Sequence, residues 1–244
     1  MAYTFGLQMY SLRDDTALDP VATLKKVADM GWRNIELCGS YGMNAADMKA
    51  ILDGLGLKVV SAHVGAIANP EAFRREVEFQ HAMGNTDIIL PYYSMNSLEE
   101  AKRAVETIAK LGEAYRAEGF RFGYHNHAFE FQSLPDGDIR PIDLLSQVEE
   151  MKFQPDVYWI RYAGCDPVEF IRNHPGRILS VHMKEYAPDG TNIEFGNGIL
   201  PWQEIMAEAE KAGTTLGILE QEEYTCLPLD SVKLCLDNIR KIFG

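Results

Sequence analysis

The sequence predicts a single (β/α)8 TIM barrel spanning residues 1–244, and three observations lead to that prediction. Short apolar runs alternate with longer amphipathic stretches along the whole chain, which is typical of parallel strands joined by helical crossovers. There are eight such pairs, the number that closes a barrel. The length of 244 residues also suits one barrel domain, and no linker or low-complexity segment divides the sequence.

The predicted strands are short apolar runs, each followed by a helical pattern. They are Phe5–Met9, Asn34–Leu37, Lys58–Ala62, Asp87–Leu90, Arg121–Tyr124, Lys152–Asp156, Ile178–Val181 and Leu216–Leu219. Apolar residues between them recur at helical spacing, and the last helix is predicted at Ser231–Phe243. Asp-Pro or Asn-Pro pairs begin three helices at Asp19, Asn69 and Asp166, and glycines follow five helical stretches, as helix capping requires.

An open, doubly wound sheet is the competing fold. Such sheets usually carry a glycine-rich phosphate-binding turn after the first strand. Here the first predicted strand leads into Gln8-Met9-Tyr10-Ser11, which contains no such turn. We therefore predict the closed barrel, with its active site where the carboxyl ends of the strands meet. The segment Glu185–Leu200 is expected to be a long loop over that mouth, and a candidate lid.

Composition and charge argue against several classes of function. The 36 acidic and 23 basic residues give a formal net charge of −13, which would repel a nucleic-acid backbone. The sequence shows neither a signal peptide nor an apolar run long enough to span a membrane. The four cysteines are scattered and are expected to be reduced. We therefore expect a cytoplasmic protein without nucleic-acid or membrane partners.

Polar side chains follow the last four predicted strands and could share a metal ion. Glu220 directly follows an apolar strand, where an unpaired carboxylate would be costly, and a metal ion would satisfy both Glu220 and His182. Glu130 and Asp156 follow the fifth and sixth strands. Three carboxylates and one imidazole form a hard donor set, which favours one Mn²⁺, Mg²⁺ or Co²⁺ ion and leaves Zn²⁺ open. Taken singly, each residue is also consistent with a salt bridge or a helix cap.

The run His125-Asn126-His127 has a rival interpretation. Two histidines at positions i and i+2 of a strand face the same way and could themselves bind a metal, as in amidohydrolase-type barrels. Those barrels usually carry the pair on the first strand, whereas here it lies on the fifth. We therefore predict that His125 and His127 contact the substrate or support the site from behind it.

At these residues the sequence resembles the xylose isomerase-like TIM barrels, in particular the sugar phosphate isomerase/epimerase group. The similarity runs nearly end to end, and its most specific segments are His125-Asn126-His127-Ala128-Phe129-Glu130-Phe131 and His182-Met183-Lys184. The resemblance implies a metal set of Glu130, Asp156, His182 and Glu220, with Mn²⁺ as the first expectation. The chain departs from the pattern at Pro155, which stands in the predicted sixth strand, and at Glu185, where relatives often have Asp.

The resemblance further implies an isomerase or epimerase acting on a keto-sugar, cyclitol or 3-keto-glycoside through a metal-stabilised enediolate. By analogy with the family's epimerases, Glu130 and Glu220 are the expected general acid and base. Five residues are expected to bind the substrate: Glu36, His63, His125, His127 and Lys184. The sequence contains no glycine-rich phosphate cup, so we expect an unphosphorylated substrate.

Several alternatives share part of this evidence. Loss of the same proton can expel a leaving group, which would give a metal-dependent lyase or dehydratase, or an enzyme that cleaves oxidised C- or O-glycosides, some of which work as subunits of heteromers. A family endonuclease would need more metal-binding histidines than the six in this chain provide. A non-catalytic protein would be favoured by the loss of a ligand, yet all four are retained. A homodimer or higher homo-oligomer is common in such barrels and is left open.

Overall fold

The structure is a computed structural model that describes residues 2–244, and its main feature is a barrel of eight parallel strands. The strands are β1 Thr4–Gln8, β2 Asn34–Leu37, β3 Lys58–His63, β4 Asp87–Leu90, β5 Arg121–His125, β6 Lys152–Gln154, β7 Val181–Met183 and, after a small hairpin of β8 Glu185–Tyr186 and β9 Asn192–Ile193, β10 Leu216–Leu219. The strand order is β6-β5-β4-β3-β2-β1-β10-β7. Isolated parallel bridges from Phe153 to Ile178 and from Asp156 to His182 bring β6 beside β7. The predicted barrel is confirmed.

Helices connect successive strands, and their ends follow the capping pattern of the sequence. They are α1 Arg13–Leu18, α2 Pro20–Met30, α3 Ala45–Leu55, α4 Pro70–Ala82, α5 Leu98–Ala117, α6 Pro141–Ser146, α7 Val157–Tyr162, α8 Pro167–Arg172, α9 Trp202–Lys211 and α10 Pro228–Phe243. Short 3-10 turns lie at Met9–Leu12 and Phe129–Phe131. The side chains of Asp19, Asn69 and Asp166 accept hydrogen bonds from the first turns of α2, α4 and α8.

Strands β6 and β7 differ from the prediction, and both differences affect the candidate site. β6 ends at Gln154, because Pro155 has no N–H group to continue the ladder. Farther along the chain, Phe153 exchanges backbone hydrogen bonds with Arg177 and Leu179, so residues 177–179 pair with β6. β7 therefore begins at Val181, later than the predicted run. His182 consequently lies within the strand rather than after it.

The segment after β7 is held to the barrel by a buried carboxylate. Glu185 is 1 % exposed and accepts hydrogen bonds from the backbone N–H groups of Tyr186 (3.0 Å), Gly196 (3.0 Å) and Leu200 (3.2 Å), as well as from the indole of Trp202. Because these donors lie at both ends of residues 186–202, Glu185 fixes the course of the segment that we predicted as a candidate lid.

Apolar side chains of the strands and of the facing helices form one buried core, to which Leu7, Trp32, Ile108, Phe153 and Ile205 belong. Within residues 2–244, the structure contains no helix that is both long enough and apolar enough to cross a membrane.

Candidate functional site

Four side chains converge at the carboxyl ends of the last four barrel strands. His125 ends β5, Asp156 follows β6, His182 lies in β7 and Glu220 follows β10. Each offers one nitrogen or oxygen atom, and these four atoms all lie within 4.8 Å of one another. All four residues are buried, and Glu220, the most accessible, is 3 % exposed. We call these residues the four-residue group.

Two atoms of this group have no hydrogen-bond partner within residues 2–244, namely Asp156 Oδ2 and His182 Nδ1. The other polar atom of each side chain is occupied, since Asp156 Oδ1 accepts from the N–H of Trp159 (3.1 Å) and His182 Nε2 lies 2.6 Å from Glu36 Oε1. A buried polar atom without a partner is costly. His182 Nδ1 also lies 3.4 Å from a carboxylate oxygen of Glu220. The donor set therefore fits a divalent cation.

The charges around His182 support the same conclusion. Burial lowers the pKa of His182, but the carboxylates of Glu36 and Glu220 outweigh it and raise that pKa to about 10. Burial raises the pKa of Glu36, but His63 and His182 outweigh it and lower that pKa to about 2. Without a metal, His182 is thus an imidazolium held between two carboxylates. A cation bound at Nδ1 would replace that proton and keep the charges balanced.

The pKa of Asp156 is shifted in the opposite direction from that of Glu36. Burial raises the pKa of Asp156 to about 7, although the ammonium group of Lys184 works in the opposite direction. A carboxylate that is costly to ionise when alone gains most from a cation beside it. The raised pKa of Asp156 and the lack of a hydrogen-bond partner for its Oδ2 among the described residues therefore both favour a cation at this position.

Glu130 lies outside the four-residue group. It belongs to the turn Phe129–Phe131, where its carboxylate accepts from the hydroxyl of Tyr124 (2.8 Å) and from the backbone N–H of His127 (2.7 Å). The sequence placed Glu130 among the metal ligands and His125 among the substrate contacts, whereas the structure brings His125 into the group. Burial raises the pKa of Glu130 to about 7, so its protonation can change near neutral pH. The carboxyl is 0 % exposed, and each of its oxygens accepts from one protein donor.

Glu36 lies below the four-residue group rather than at a surface that a substrate can reach. It is 0 % exposed, and in addition to His182 it accepts from the side-chain amides of Gln8 (2.6 Å) and Gln154 (2.6 Å) and from the hydroxyl of Ser61. We expected Glu36 to bind substrate, but both of its oxygens are occupied by protein donors. The roles of Ser61 and Gln154 were not predicted from the sequence; the available signal was that Gln154 directly precedes Pro155, which cannot continue a strand ladder.

A cavity of about 350 Å³ opens above the group, a size that admits a small ligand. It is lined by Tyr10, Cys38, His63, Gly65, Pro91, Tyr92, His125, His127, Glu220 and Glu222. A larger cavity of about 610 Å³ lies between α6 and α8, where Arg140 is paired with Asp143 and His174 with Ser146. The smaller cavity is the better candidate because it reaches the buried charges.

Two further buried polar atoms near this cavity are without a hydrogen-bond partner among the described residues. Neither His127 Nδ1 nor Trp159 Nε1 has a hydrogen-bond partner among the described residues, and their rings lie 5.8 Å apart. Burial lowers the pKa of His127 to about 4, so its ring is neutral at neutral pH. The ammonium group of Lys184 lies 4.7 Å above the Trp159 ring and is paired with Glu222. This wall is suited to bind hydroxyl groups.

Comparison with known proteins identifies the family. A model of the xylose isomerase-like TIM barrel family matches residues 24–240, which is most of the chain. The protein belongs to this family. The resemblance seen in the sequence is thereby confirmed, and solved structures similar to this chain include sugar phosphate isomerase/epimerases.

Three relatives show how far the similarity extends. The structure of a sugar phosphate isomerase/epimerase from Parabacteroides distasonis ATCC 8503 superimposes with a TM-score of 0.84 at 26 % identity and covers 98 % of both chains. The IolI protein, solved with a bound zinc atom, has a TM-score of 0.71 at 10 % identity and covers 98 % of this chain and 97 % of its own. An inosose dehydratase from Clostridium botulinum (strain Alaska E43 / Type E3) is 22 % identical over 193 residues, or 68 % of this chain. The match spans 63 % of that relative's length.

Proposed function

We propose that this protein is a divalent-metal-dependent isomerase or epimerase of a small keto-sugar, cyclitol or 3-keto-glycoside. The observation that carries the proposal is the convergence of His125, Asp156, His182 and Glu220 at the base of a cavity, with two of their ligand atoms unpartnered. The family's sugar isomerase and epimerase structures support the same class of reaction.

The four-residue group is the proposed metal site. A bound cation would supply Lewis-acid stabilisation of negative charge on the ketone oxygen and the neighbouring hydroxyl. Mn²⁺ is the ion we propose first. Two imidazoles and two carboxylates also suit Co²⁺ and Zn²⁺, whereas Mg²⁺ prefers an all-oxygen set. The IolI protein, with its zinc atom, makes Zn²⁺ the alternative to test beside Mn²⁺.

Glu220 and Glu130 are the proposed acid and base. Glu220 lines the cavity and can take the proton from the carbon next to the ketone. Glu130 has the near-neutral pKa that proton return requires. His63, His127, Trp159 and the Lys184–Glu222 pair are proposed to orient the hydroxyl groups.

The cavity favours an uncharged substrate over a sugar phosphate. Among the described residues that line it, none is a lysine or an arginine, and Glu220 and Glu222 contribute negative charge. The nearby ammonium group of Lys184 is already paired with Glu222. A phosphate group would therefore meet carboxylates without a free cation to bind it.

A lyase or dehydratase is the second candidate, and the similarity to inosose dehydratase is the observation that favours it. Both reactions begin with removal of the same proton. They differ in whether the proton returns or a neighbouring hydroxyl leaves, and the products distinguish them.

The test is exchange of substrate protons for deuterium in D₂O, with candidate ketoses, inososes and 3-keto-glycosides and with Mn²⁺ added. We expect the wild type to exchange the proton next to the ketone, Glu130→Gln to bind Mn²⁺ without exchange, and His125→Ala to lose Mn²⁺. Absence of Mn²⁺ and Zn²⁺ binding by the wild type would refute the proposal. Loss of the metal in Glu130→Gln but not in His125→Ala would restore Glu130 as the ligand. Release of water from the substrate would establish the dehydratase.

A further inference from the structure

Three imidazoles meet a layer of hydrogen-bonding side chains at the floor of the site. The ring centroids of His63, His125 and His182 lie 4.6 to 5.1 Å apart. Each histidine directs one ring nitrogen into a layer formed by Glu36 and Gln154. The nitrogen that carries the proton determines which nitrogen remains free to bind a metal.

Glu36 fixes the orientation of the His182 proton. A carboxylate accepts hydrogen bonds but cannot donate them, so His182 Nε2, at 2.6 Å from Glu36 Oε1, must carry the hydrogen. Nδ1 is the other ring nitrogen, and it lies 3.4 Å from a carboxylate oxygen of Glu220, another member of the four-residue group. The contact with Glu36 therefore assigns Nδ1 to the metal.

Glu36 also acts on the other two histidines: its Oε1 lies 3.2 Å from His63 Nε2, and it reaches His125 through Gln154. The amide nitrogen of Gln154 donates to Glu36 Oε2 (2.6 Å), so its amide oxygen must point the other way. That oxygen lies 2.7 Å from His63 Nε2 and 3.2 Å from His125 Nδ1, and both nitrogens must therefore donate to it. His125 Nε2 is left with its lone pair, 4.0 Å from Asp156 Oδ2.

We propose that Glu36 is a positioning residue that sets the proton positions of all three imidazoles and so presents His182 Nδ1 and His125 Nε2 to a divalent cation. The inference rests on the proposed metal function. It replaces the substrate-binding role that the sequence led us to expect for Glu36. The role of the buried layer of Glu36 and Gln154 is then to hold the histidine protons away from the metal-binding nitrogens.

The substitution Glu36→Gln shows why a charged acceptor is needed at this position. A glutamine side chain has nearly the same shape but offers one accepting and one donating end. If the donating end faces His182, then Nε2 loses its hydrogen and the remaining proton stays on Nδ1. If the donating end faces Gln154, that amide reverses, and the proton of His125 moves to the opposite nitrogen. Either arrangement removes one imidazole from the metal set.

The experiment uses the full-length protein after metal removal, with ¹⁵N-labelled histidine. Long-range ¹H–¹⁵N correlation spectra at mildly alkaline pH show which nitrogen of each ring is protonated, and calorimetric titration with MnCl₂ measures affinity. The variants are Glu36→Gln, Gln154→Met and Ser61→Ala. Gln154→Met removes the relay to His125 but leaves the contacts of Glu36 with His182 and His63. Ser61→Ala is the matched control, since it removes one donor to Glu36 without contact to a histidine.

We expect the wild type to show the proton on His125 Nδ1 and His63 Nε2. Glu36→Gln should move the proton on at least one ring and weaken Mn²⁺ binding by about 10–100-fold. Gln154→Met should release His125, while His182 and His63, which keep their own contacts with Glu36, stay as in the wild type. Ser61→Ala should keep every proton position and weaken binding by less than about fivefold.

A folded Glu36→Gln variant with wild-type proton positions and wild-type Mn²⁺ affinity overturns the inference, as does a wild-type His125 protonated on Nε2. If Glu36→Gln does not fold, Gln154→Met decides in its place, because an unchanged His125 proton there would overturn the relay. If the predicted proton positions are found and depend on Glu36 but the wild type binds no Mn²⁺, the control of proton positions stands and the proposed metal function fails.

Discussion

Glu36 and Glu185 are two fully buried carboxylates in the same barrel, and their donors differ in kind. Glu185 accepts from three backbone N–H groups and one indole, which cannot change their protonation near neutral pH. Glu36 accepts from amide, hydroxyl and imidazole side chains. Its backbone donors give Glu185 a structural role, which we call the fastening role because Glu185 holds the segment 186–202 against the barrel. The imidazole donor of Glu36 instead gives that carboxylate a role at the proposed metal site. Burial of a charge therefore indicates a function only together with the nature of its partners.

The largest expected effect tests the fastening role. Glu185→Gln would place a donor against two of the four buried donors, and each buried donor left unsatisfied costs about 1–3 kcal/mol. We expect the free energy of unfolding to fall by about 3 kcal/mol or more in urea denaturation. Glu204→Gln, on the exposed side of α9, is the control and should change stability by no more than about 0.5 kcal/mol. A Glu185→Gln variant as stable as the control would contradict the fastening role.

Stabilisation by metal distinguishes the two carboxylates directly. Mn²⁺ at about 100 times its dissociation constant should raise the free energy of unfolding by about 2.7 kcal/mol, because it binds the folded state. Glu185→Gln should gain the same increment from its lower baseline. Glu36→Gln should gain much less at that Mn²⁺ concentration. The measurement is a thermal or urea unfolding curve with and without Mn²⁺, and equal gains in both variants would remove the distinction.

A smaller effect sharpens the structural side of the comparison. A Cβ atom at Gly198 would lie 2.4 Å from both the backbone oxygen of Tyr186 and a carboxylate oxygen of Glu185. Gly198→Ala should therefore destabilise the fold by about 1–3 kcal/mol. Gly54→Ala is the control, because Gly54 lies in α3 with open space around it, and it should leave stability unchanged or raise it by up to about 1 kcal/mol. If the two variants have equal free energies of unfolding in urea, the backbone at Gly198 can shift to accommodate a Cβ atom at little cost.

The smallest effect concerns pH. Burial lowers the pKa of His127 to about 4 in the folded protein, so between about pH 4 and 6.5 the unfolded chain binds more protons at this position than the folded chain. His127 therefore makes the metal-free protein lose stability as pH falls through that window. His127→Phe, which keeps an aromatic ring, should reduce the slope of stability against pH by up to about one proton. An unchanged slope in urea denaturation at several pH values would show that His127 is not responsible.

Much of the fold could be predicted from local sequence. The runs at Asn34–Leu37, Asp87–Leu90 and Leu216–Leu219 coincide with β2, β4 and β10, because alternation of strand and helix and the caps between them are local signals. The start of β7 was misplaced by three residues. Its position depends on backbone pairing of residues 177–179 with Phe153, which no local pattern reveals.

The site was predictable in part, for a related reason. Asp156, His182 and Glu220 follow or lie in strands, so barrel geometry alone places them together. The turn Phe129–Phe131 directs the Glu130 carboxylate to Tyr124 and His127, whereas His125 lies with the other three residues, so the roles of Glu130 and His125 stay predictions. From the sequence alone, Glu36 could not be distinguished from a substrate-binding residue. The donors that occupy its carboxylate come from four other strands, which no local pattern reveals. The cytoplasmic location, the exclusion of nucleic acid and the expectation of a homo-oligomer stay predictions.

Asp156 uses one oxygen to cap α7 and leaves the other for the proposed ion, so a single side chain sets both the metal position and the start of a helix. That helix carries Tyr158, Trp159 and Tyr162 beside Lys184 and the loop. The proposed metal position and the aromatic residues of α7 are thereby held in a fixed arrangement by one side chain, although different residues supply them. A library randomised at these three aromatic positions, with Asp156 kept, would vary substrate choice around a constant chemical core.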